Sequence, residues 1–379
     1  MRRHRLRIPY SFIANREDSV CPSPGKVVFS GSGLPKRLFT STGSRNTQSR
    51  IAHNSLDSGV TSCHIDVVSI QEQDSSDAGT IESDINSALS FYDQNFINPI
   101  NVNIAFTITP TNSSASYLGH SDSTIYSPNY ATYTAYMGTN AGLNSNSIEQ
   151  TAYNNLGYGN DSNGVAPLEV TSADMRAISG DSSYTGSLDA AGNVSPTGTY
   201  DGVITLNAAK LSGFGGSGSY SAGRVIQHEV DEVLGIGGAG STLGSSLQST
   251  NYGPMDLFRY SAPQTPSFTT SSTETSYFSI DGGNTNIVNF NQNPGTDGQS
   301  NGDYGDWSSE GTTGNYVQLA FTSSSLGSAS VSLTSPEGIA LQAVGYDTAT
   351  PEPSSLALSA ALLGGMWVTL RRRRVGRGD

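Results

Sequence analysis

The segment SAGRVIQHEVDEVLG (221–235) places His228, Glu229 and Glu232 together. On a helix, side chains four residues apart lie one above the other, so His228 and Glu232 would share a face. An imidazole and a carboxylate one turn apart can grip one Zn²⁺, with ligand distances of about 2.0–2.2 Å. Glu229 would be rotated by about 100° from His228 and would reach a water on that ion as general base. The ion would bring the pKa of the water toward ~7 and supply a nucleophile for a peptide carbonyl. This chemistry is metal-assisted hydrolysis, and it needs a third ligand from elsewhere in the chain.

The surrounding elements are legible as an α+β order. Ser221 is a fitting N-cap, and Val225, Ile226, Val233 and Leu234 give the helix an apolar side that ends at Gly235. Upstream, Ile81, Ile85, Ala88, Leu89, Tyr92 and Phe96 recur at helical steps between about 78 and 97. Val102, Ile104, Phe106 and Ile108 then alternate with polar residues and predict a half-buried strand. GVITLN (202–207) predicts a second short strand, and GFGGSGSYSAG a flexible entry to the His228 helix. The Tyr, Ser and Asn-rich stretch from 113 to about 165 reads as irregular or edge-like. Residues 265–335 read as short strands and loops, with turns at Asp281-Gly282-Gly283 and Asp297-Gly298. In SPEGIALQAVGYD, Pro336 suits the first turn of a short helix and Gly345 its stop.

With these motifs in place, the His228 segment resembles the HExxH helix of zinc metalloproteases, with Glu232 in the place of the second histidine. GPMDLFRYSAP (253–263), YFSIDGGNTNIVNFN (277–291) and GDYGDW (302–307) are similar to segments of zincin-like, metzincin-like peptidases that carry a PEP-CTERM sorting tail. In that group the helix often carries Glu at the second position. The resemblance spans roughly residues 75–350. It implies a zincin-like catalytic domain with a twisted sheet, an active-site helix and a loop-rich C-terminal part. The metzincin third-ligand position falls on Gly238, which has no side chain to offer. Asp256 is then the first choice for third ligand, because it follows Met255, which could form the methionine turn beneath the metal. Asp303 and Asp306 come next, in a loop rich enough in Asp, Gly and Asn to hold Ca²⁺ instead. Tyr260 or Tyr304 could stabilise the oxyanion. His120 reads as merely exposed, and His64 falls within the leader.

Charge divides the chain. Residues 1–50 hold ten Lys or Arg, and 371–379 hold five Arg. Between them only Arg176, Lys210, Arg224 and Arg259 face 29 acids, a balance that excludes nucleic acid as a partner. Cys21 and Cys63 allow at most one disulfide. MRRHRLR is basic, but the apolar stretch after it is too short for a signal peptide, so residues 1–65 form an atypical leader with no assigned fold.

From Pro351 the chain reads PEPSSLALSAALLGGMWVTLRRRRVGRGD: a proline-bounded turn, an apolar run from Leu356 to Leu370, and four arginines. Such a run approaches the length of a membrane span, with the arginines on the cytoplasmic side. Residues 351–379 resemble the PEP-CTERM sorting tail. That implies a bacterial protein that is exported, transiently membrane-anchored, and then released to the cell surface or beyond by an exosortase-type enzyme.

The domain from 66 to 350 is therefore expected to be an exported zinc endopeptidase acting on polypeptides. A zincin without turnover, or a structural or adhesive surface protein, is the competing expectation. No GxSxG elbow supports serine hydrolysis, and GFGGSGS lacks the lysine of a phosphate-binding loop.

Overall fold

The computed structural model describes residues 26–30, 63–71, 77–144, 147–156, 168–237, 253–267, 273–292, 303–309 and 314–348. Among them lie ten strands and six α-helices. Strands β1 (Lys26–Ser30), β2 (His64–Gln71), β3 (Asn101–Ile108), β4 (Gly119–Tyr126), β5 (Val170–Thr171) and β6 (Gly202–Leu206) form one twisted mixed sheet. Its order is β1-β4-β6-β3-β2, with β5 on β4. Strands β2, β3 and β6 run parallel, whereas β4 is antiparallel to β6 and β1 is antiparallel to β4. The helices are α1 (Ala78–Asn95), α2 (Tyr130–Asn144), α3 (Ser147–Asn154), α4 (Ser172–Ser179), α5 (Ala222–Leu234) and α6 (Pro336–Ala343). A second, smaller sheet, β10-β9-β7-β8, is built from β7 (Arg259–Ala262), β8 (Thr265–Pro266), β9 (Tyr277–Phe278) and β10 (Val288–Asn289). The architecture is α+β.

Helix α1 forms where the apolar stripe predicts it and buries Ile81, Ile85, Ala88, Leu89 and Tyr92. Strands β3 and β6 likewise match their patterns. The stretch from 113 to 165 is different from its reading, for it holds β4, α2 and α3. Strand β4 buries Ser121, Asp122, Ser123 and Thr124, so no apolar alternation announces it. His120 on β4 is half-buried, not exposed; its ring packs edge-on to Tyr117 at 5.6 Å, with Asp122 at 3.7 Å. His64, in the leader, opens β2 beside Asp66 and Asp93. The strand β1 pairing also falls within that leader. Cys63 is a buried free thiol, pushed up to about 12 chiefly by burial and then by Asp93. Cys21, the turn at 297–298 and the tail from 351 lie outside the described residues. Among the described residues no helix is long and apolar enough to cross a membrane.

Two buried polar ties lock the scaffold. Arg176 on α4 makes a two-pronged ion pair with Asp201, at 2.9 and 2.8 Å, just before β6. Tyr92 on α1 meets Asp231 of α5 at 2.7 Å, and Gln227 of α5 donates to Ala88 O at 3.0 Å. These contacts fix the rotation of α5 against α1 and so decide which side chains it turns toward β4.

Buried Glu149 on α3 gives the fold a pH dependence. Its Oε1 accepts from Asn140 at 3.0 Å, yet burial, and then Asp347, push its carboxyl up to about 8. Folding therefore favours the protonated form. The stability it contributes is complete below the ordinary carboxyl value and is lost as pH rises through about 8. Chelator-treated protein is expected to melt at a lower temperature at pH 8.5 than at pH 5. Glu149→Gln should reduce that slope in calorimetry, leaving the part due to the other carboxyls that folding raises, among them Glu169 and Asp303, both to about 8.

Candidate metal centre

Helix α5 begins at Ser221, whose side chain accepts from the Arg224 amide, and ends at Gly235 with φ 105°. Ile236 N–H reaches back to Asp231 O at 3.0 Å, and the Tyr346 hydroxyl donates to Leu234 O at 2.9 Å. Both contacts satisfy carbonyls that a helix end would otherwise leave bare. Val225, Ile226, Val230, Val233 and Leu234 are buried. The remaining face presents His228, Glu229 and Glu232, as the spacing predicts.

Asp306 joins them. His228 Nε2 stands 3.5 Å from Glu232 Oε1 and 3.6 Å from Asp306 Oδ2. The three residues offer ligand atoms that all lie within 4.8 Å of one another. Separations of 3.5–3.6 Å are too long for good hydrogen bonds. They match the edge of a coordination tetrahedron with bonds near ~2.1 Å, which is about 3.4 Å.

Each of the three is held from behind. His228 Nδ1 meets Val317 O at 3.1 Å, which puts the proton on Nδ1 and leaves Nε2 the ligand nitrogen. The Ser121 hydroxyl on β4 donates to Glu232 Oε2. Gln318 Nε2 donates to Asp306 Oδ1 at 2.9 Å. In every case one atom of the side chain is engaged by the protein and the other faces the common gap. Gly237, at φ 78°, makes room for this: a Cβ there would lie 2.2 Å from Gln318 Nε2 and 2.9 Å from Asp306 Oδ1. Such outer-shell support is what a metal site requires to orient its ligands. The residues fit a divalent cation.

The charges agree with the geometry. Burial opposes a charged His228 ring, but Asp306, Glu232 and Glu229 outweigh it and hold its proton affinity well above the ordinary value. Glu229 is buried against β4, where a Cβ on Gly119 would come within 2.6 Å of its Oε1. Burial, then Glu232, with Asp306 and Asp303 behind it, raises its carboxyl well above the usual range against the pull of His228. Asp303, exposed as a residue, is not one of the three, yet its carboxyl feels their charge. Desolvation, then Asp306 and Glu232, raise it to about 8. Four carboxylates around one imidazole make a strong sink for positive charge.

Comparison with family models, with curated proteins and with solved structures returns no match. The reading of the centre therefore rests on its own geometry.

Asp256 is not among the three. It is fully buried in the 3₁₀ turn Pro254–Phe258, where its Oδ2 accepts from Gly253 N–H at 2.9 Å and its Oδ1 lies 3.8 Å from Arg259 Nη1. Arg259 in turn donates to Tyr304 O at 2.7 Å and stacks 4.2 Å over Phe290. The carboxylate closes a turn and balances a buried guanidinium. Asp256→Asn is expected to cost on the order of 3 kcal/mol of stability, the scale for breaking a buried pair, with cation affinity unchanged. Parallel denaturation and metal-competition titrations would check both halves. The Tyr260 hydroxyl donates to Asn155 O at 2.9 Å, so it is engaged away from any oxyanion role. Ser121, Val317 and Gln318 carry no signal in spacing or motif that singles them out.

Proposed function

We propose that the chain is a zinc-dependent endopeptidase of the zincin-like kind. One observation carries the reading: an imidazole and two carboxylates converge on a common gap, each braced from behind, with a further buried carboxylate alongside. His228, Glu232 and Asp306 would hold the cation. When bound, it would act as a Lewis acid and lower the pKa of a water toward ~7. Glu229, buried beside these residues, would serve as the general base, accepting a proton from the attacking water and returning it to the leaving amine. The imidazole in the donor set favours Zn²⁺ over the Ca²⁺ expected at the Asp303/Asp306 loop, since calcium sites are built from oxygens.

The substrate class is polypeptide, and the acidic body argues against nucleic acid. We further propose that the protein is exported, held briefly in the membrane by the apolar run 356–370, and released to the cell surface by an exosortase-type enzyme acting on the tail. The order Pro351-Glu352-Pro353, apolar run, Arg371–Arg374 supports this.

The test is metal content beside cleavage. The full chain should carry about one zinc and should degrade casein or gelatin in a manner stopped by a chelator and restored by Zn²⁺. Zinc without cleavage of a broad peptide library would leave a zincin fold without turnover. No zinc at all would leave a structural or adhesive surface protein.

A further inference from the structure

We infer that Glu337 is a positioning residue for the metal centre, holding the Asp306 and His228 contacts in place from the far side of the two chain segments that make them. The inference rests on the metal reading above. Glu337 is on the first turn of α6 and is 1% exposed. Its Oε1 accepts twice: from the Trp307 indole N–H at 3.2 Å and from the Gln318 backbone N–H at 3.0 Å. Trp307 directly follows Asp306. Gln318 directly follows Val317, whose carbonyl meets His228 Nδ1, and its own side chain donates to Asp306 Oδ1. One carboxylate oxygen thus pins Trp307, the neighbour of Asp306, and Gln318, which braces Asp306 and directly follows the residue that braces His228.

The rest of the surroundings make this pin decisive. Trp307 is fully buried, stacked on Phe278 at 5.7 Å and tilted against Phe290 at 5.3 Å, so the indole plane is set by aromatic packing. Its position along that stack is set by the N–H contact. The two segments also clasp each other, Trp307 N–H to Gln318 O at 2.8 Å and Ala320 N–H to Trp307 O at 3.0 Å, so they are joined as one unit. That unit is tied to α5 by Arg224, which donates to Tyr316 O, and by His228 one turn later. Without Glu337 two buried N–H donors lose their acceptor, and the unit must shift to satisfy them. A shift of the unit moves Asp306 and Val317 together against α5. The loss of an outer-shell partner typically costs about 10–100-fold in metal affinity.

The experiment titrates the full chain with Co²⁺, which reports ligand number through its visible absorption. Glu337→Ala is expected to bind Co²⁺ about 10–100-fold more weakly, with the spectrum shifted toward that of Asp306→Asn. Glu337→Gln keeps an acceptor oxygen and should restore affinity to within about 3-fold of the native protein, well short of that range. Because part of the Glu337 effect passes through Asp306 and part through the Val317 contact to His228, Glu337→Ala should cost less affinity in the Asp306→Asn background than in the native protein, leaving the double variant short of the product of the single effects. Asn98→Ala, which removes buried contacts to Ala177, Gly345 and Asp347, supplies a destabilised control that should bind normally. Should Glu337→Ala not fold, Glu337→Asp carries the same comparison. Native affinity in Glu337→Ala, or a double variant weakened by the product of the single effects, overturns the proposal. A native protein that binds no Co²⁺ sinks the metal reading and this one with it.

Discussion

A Glu229→Gln protein is expected to keep its cation and to lose peptide hydrolysis by about 10²–10⁴-fold, the range for removing a general base. The amide has nearly the shape of the carboxylate, so the close fit against Gly119 survives. What disappears is the group that can accept a proton beside the cation. Glu229 is also a source of the negative charge that pulls on His228, so the substitution relieves crowding in the metal-free centre. The variant should therefore melt no lower than the native protein. Single-turnover hydrolysis of a fluorogenic peptide, run beside metal analysis, checks both parts. Undiminished hydrolysis with metal retained would remove Glu229 from the chemistry.

Asp306→Asn should weaken Zn²⁺ binding by more than about 100-fold, beyond the usual effect of an outer-shell partner, and should abolish hydrolysis at ordinary zinc levels. The reasoning is geometric. Asp306 Oδ2 is the corner of the triad that comes from outside α5, and an asparagine oxygen there brings no charge to the cation. Competition with a chromogenic chelator measures the loss. Asp256→Asn, measured in parallel, should leave affinity untouched, and the contrast between two acids of similar burial makes the assignment testable. Equal affinities for the native and Asp306→Asn proteins would return the search for the third ligand to the rest of the chain.

The contrast between these two aspartates also shows what was legible in the sequence. Helix α5 was, because every signal for it is local: a serine cap, an apolar stripe, a glycine stop, and two ligands one turn apart. For the same reason α1, β3, β6 and α6 form where their patterns place them. Strand β4 was not legible, since Ser121 turns to Glu232 of α5 while Asp122 is buried on the opposite face, so neither face shows an apolar alternation. Helix α2 hides in another way, because Tyr133, Met137 and Ala141 supply its buried face among threonines and asparagines that favour other conformations. The third corner of the centre was out of reach in principle. Nothing within a few residues of Asp256 or Asp306 tells a carboxylate that closes a turn from one that meets an imidazole about 80 residues earlier in the chain. Asp306 and Asp303 stood as alternatives only because their loop is acidic. Packing, in which Trp307 inserts among Phe278 and Phe290, makes the choice.

The centre draws on β4, α5, the 306 loop, the 317–318 segment and α6, which lie far apart along the chain. Contacts of such separation close late, because each must first overcome the entropy of a long loop. A growing polypeptide cannot assemble the trio until Asp306 has been made, and the support behind it is complete only once Glu337 follows, so synthesis would be through most of the body before an ion could be held at full strength. Shortened chains that stop ahead of α6 should consequently capture an ion only weakly.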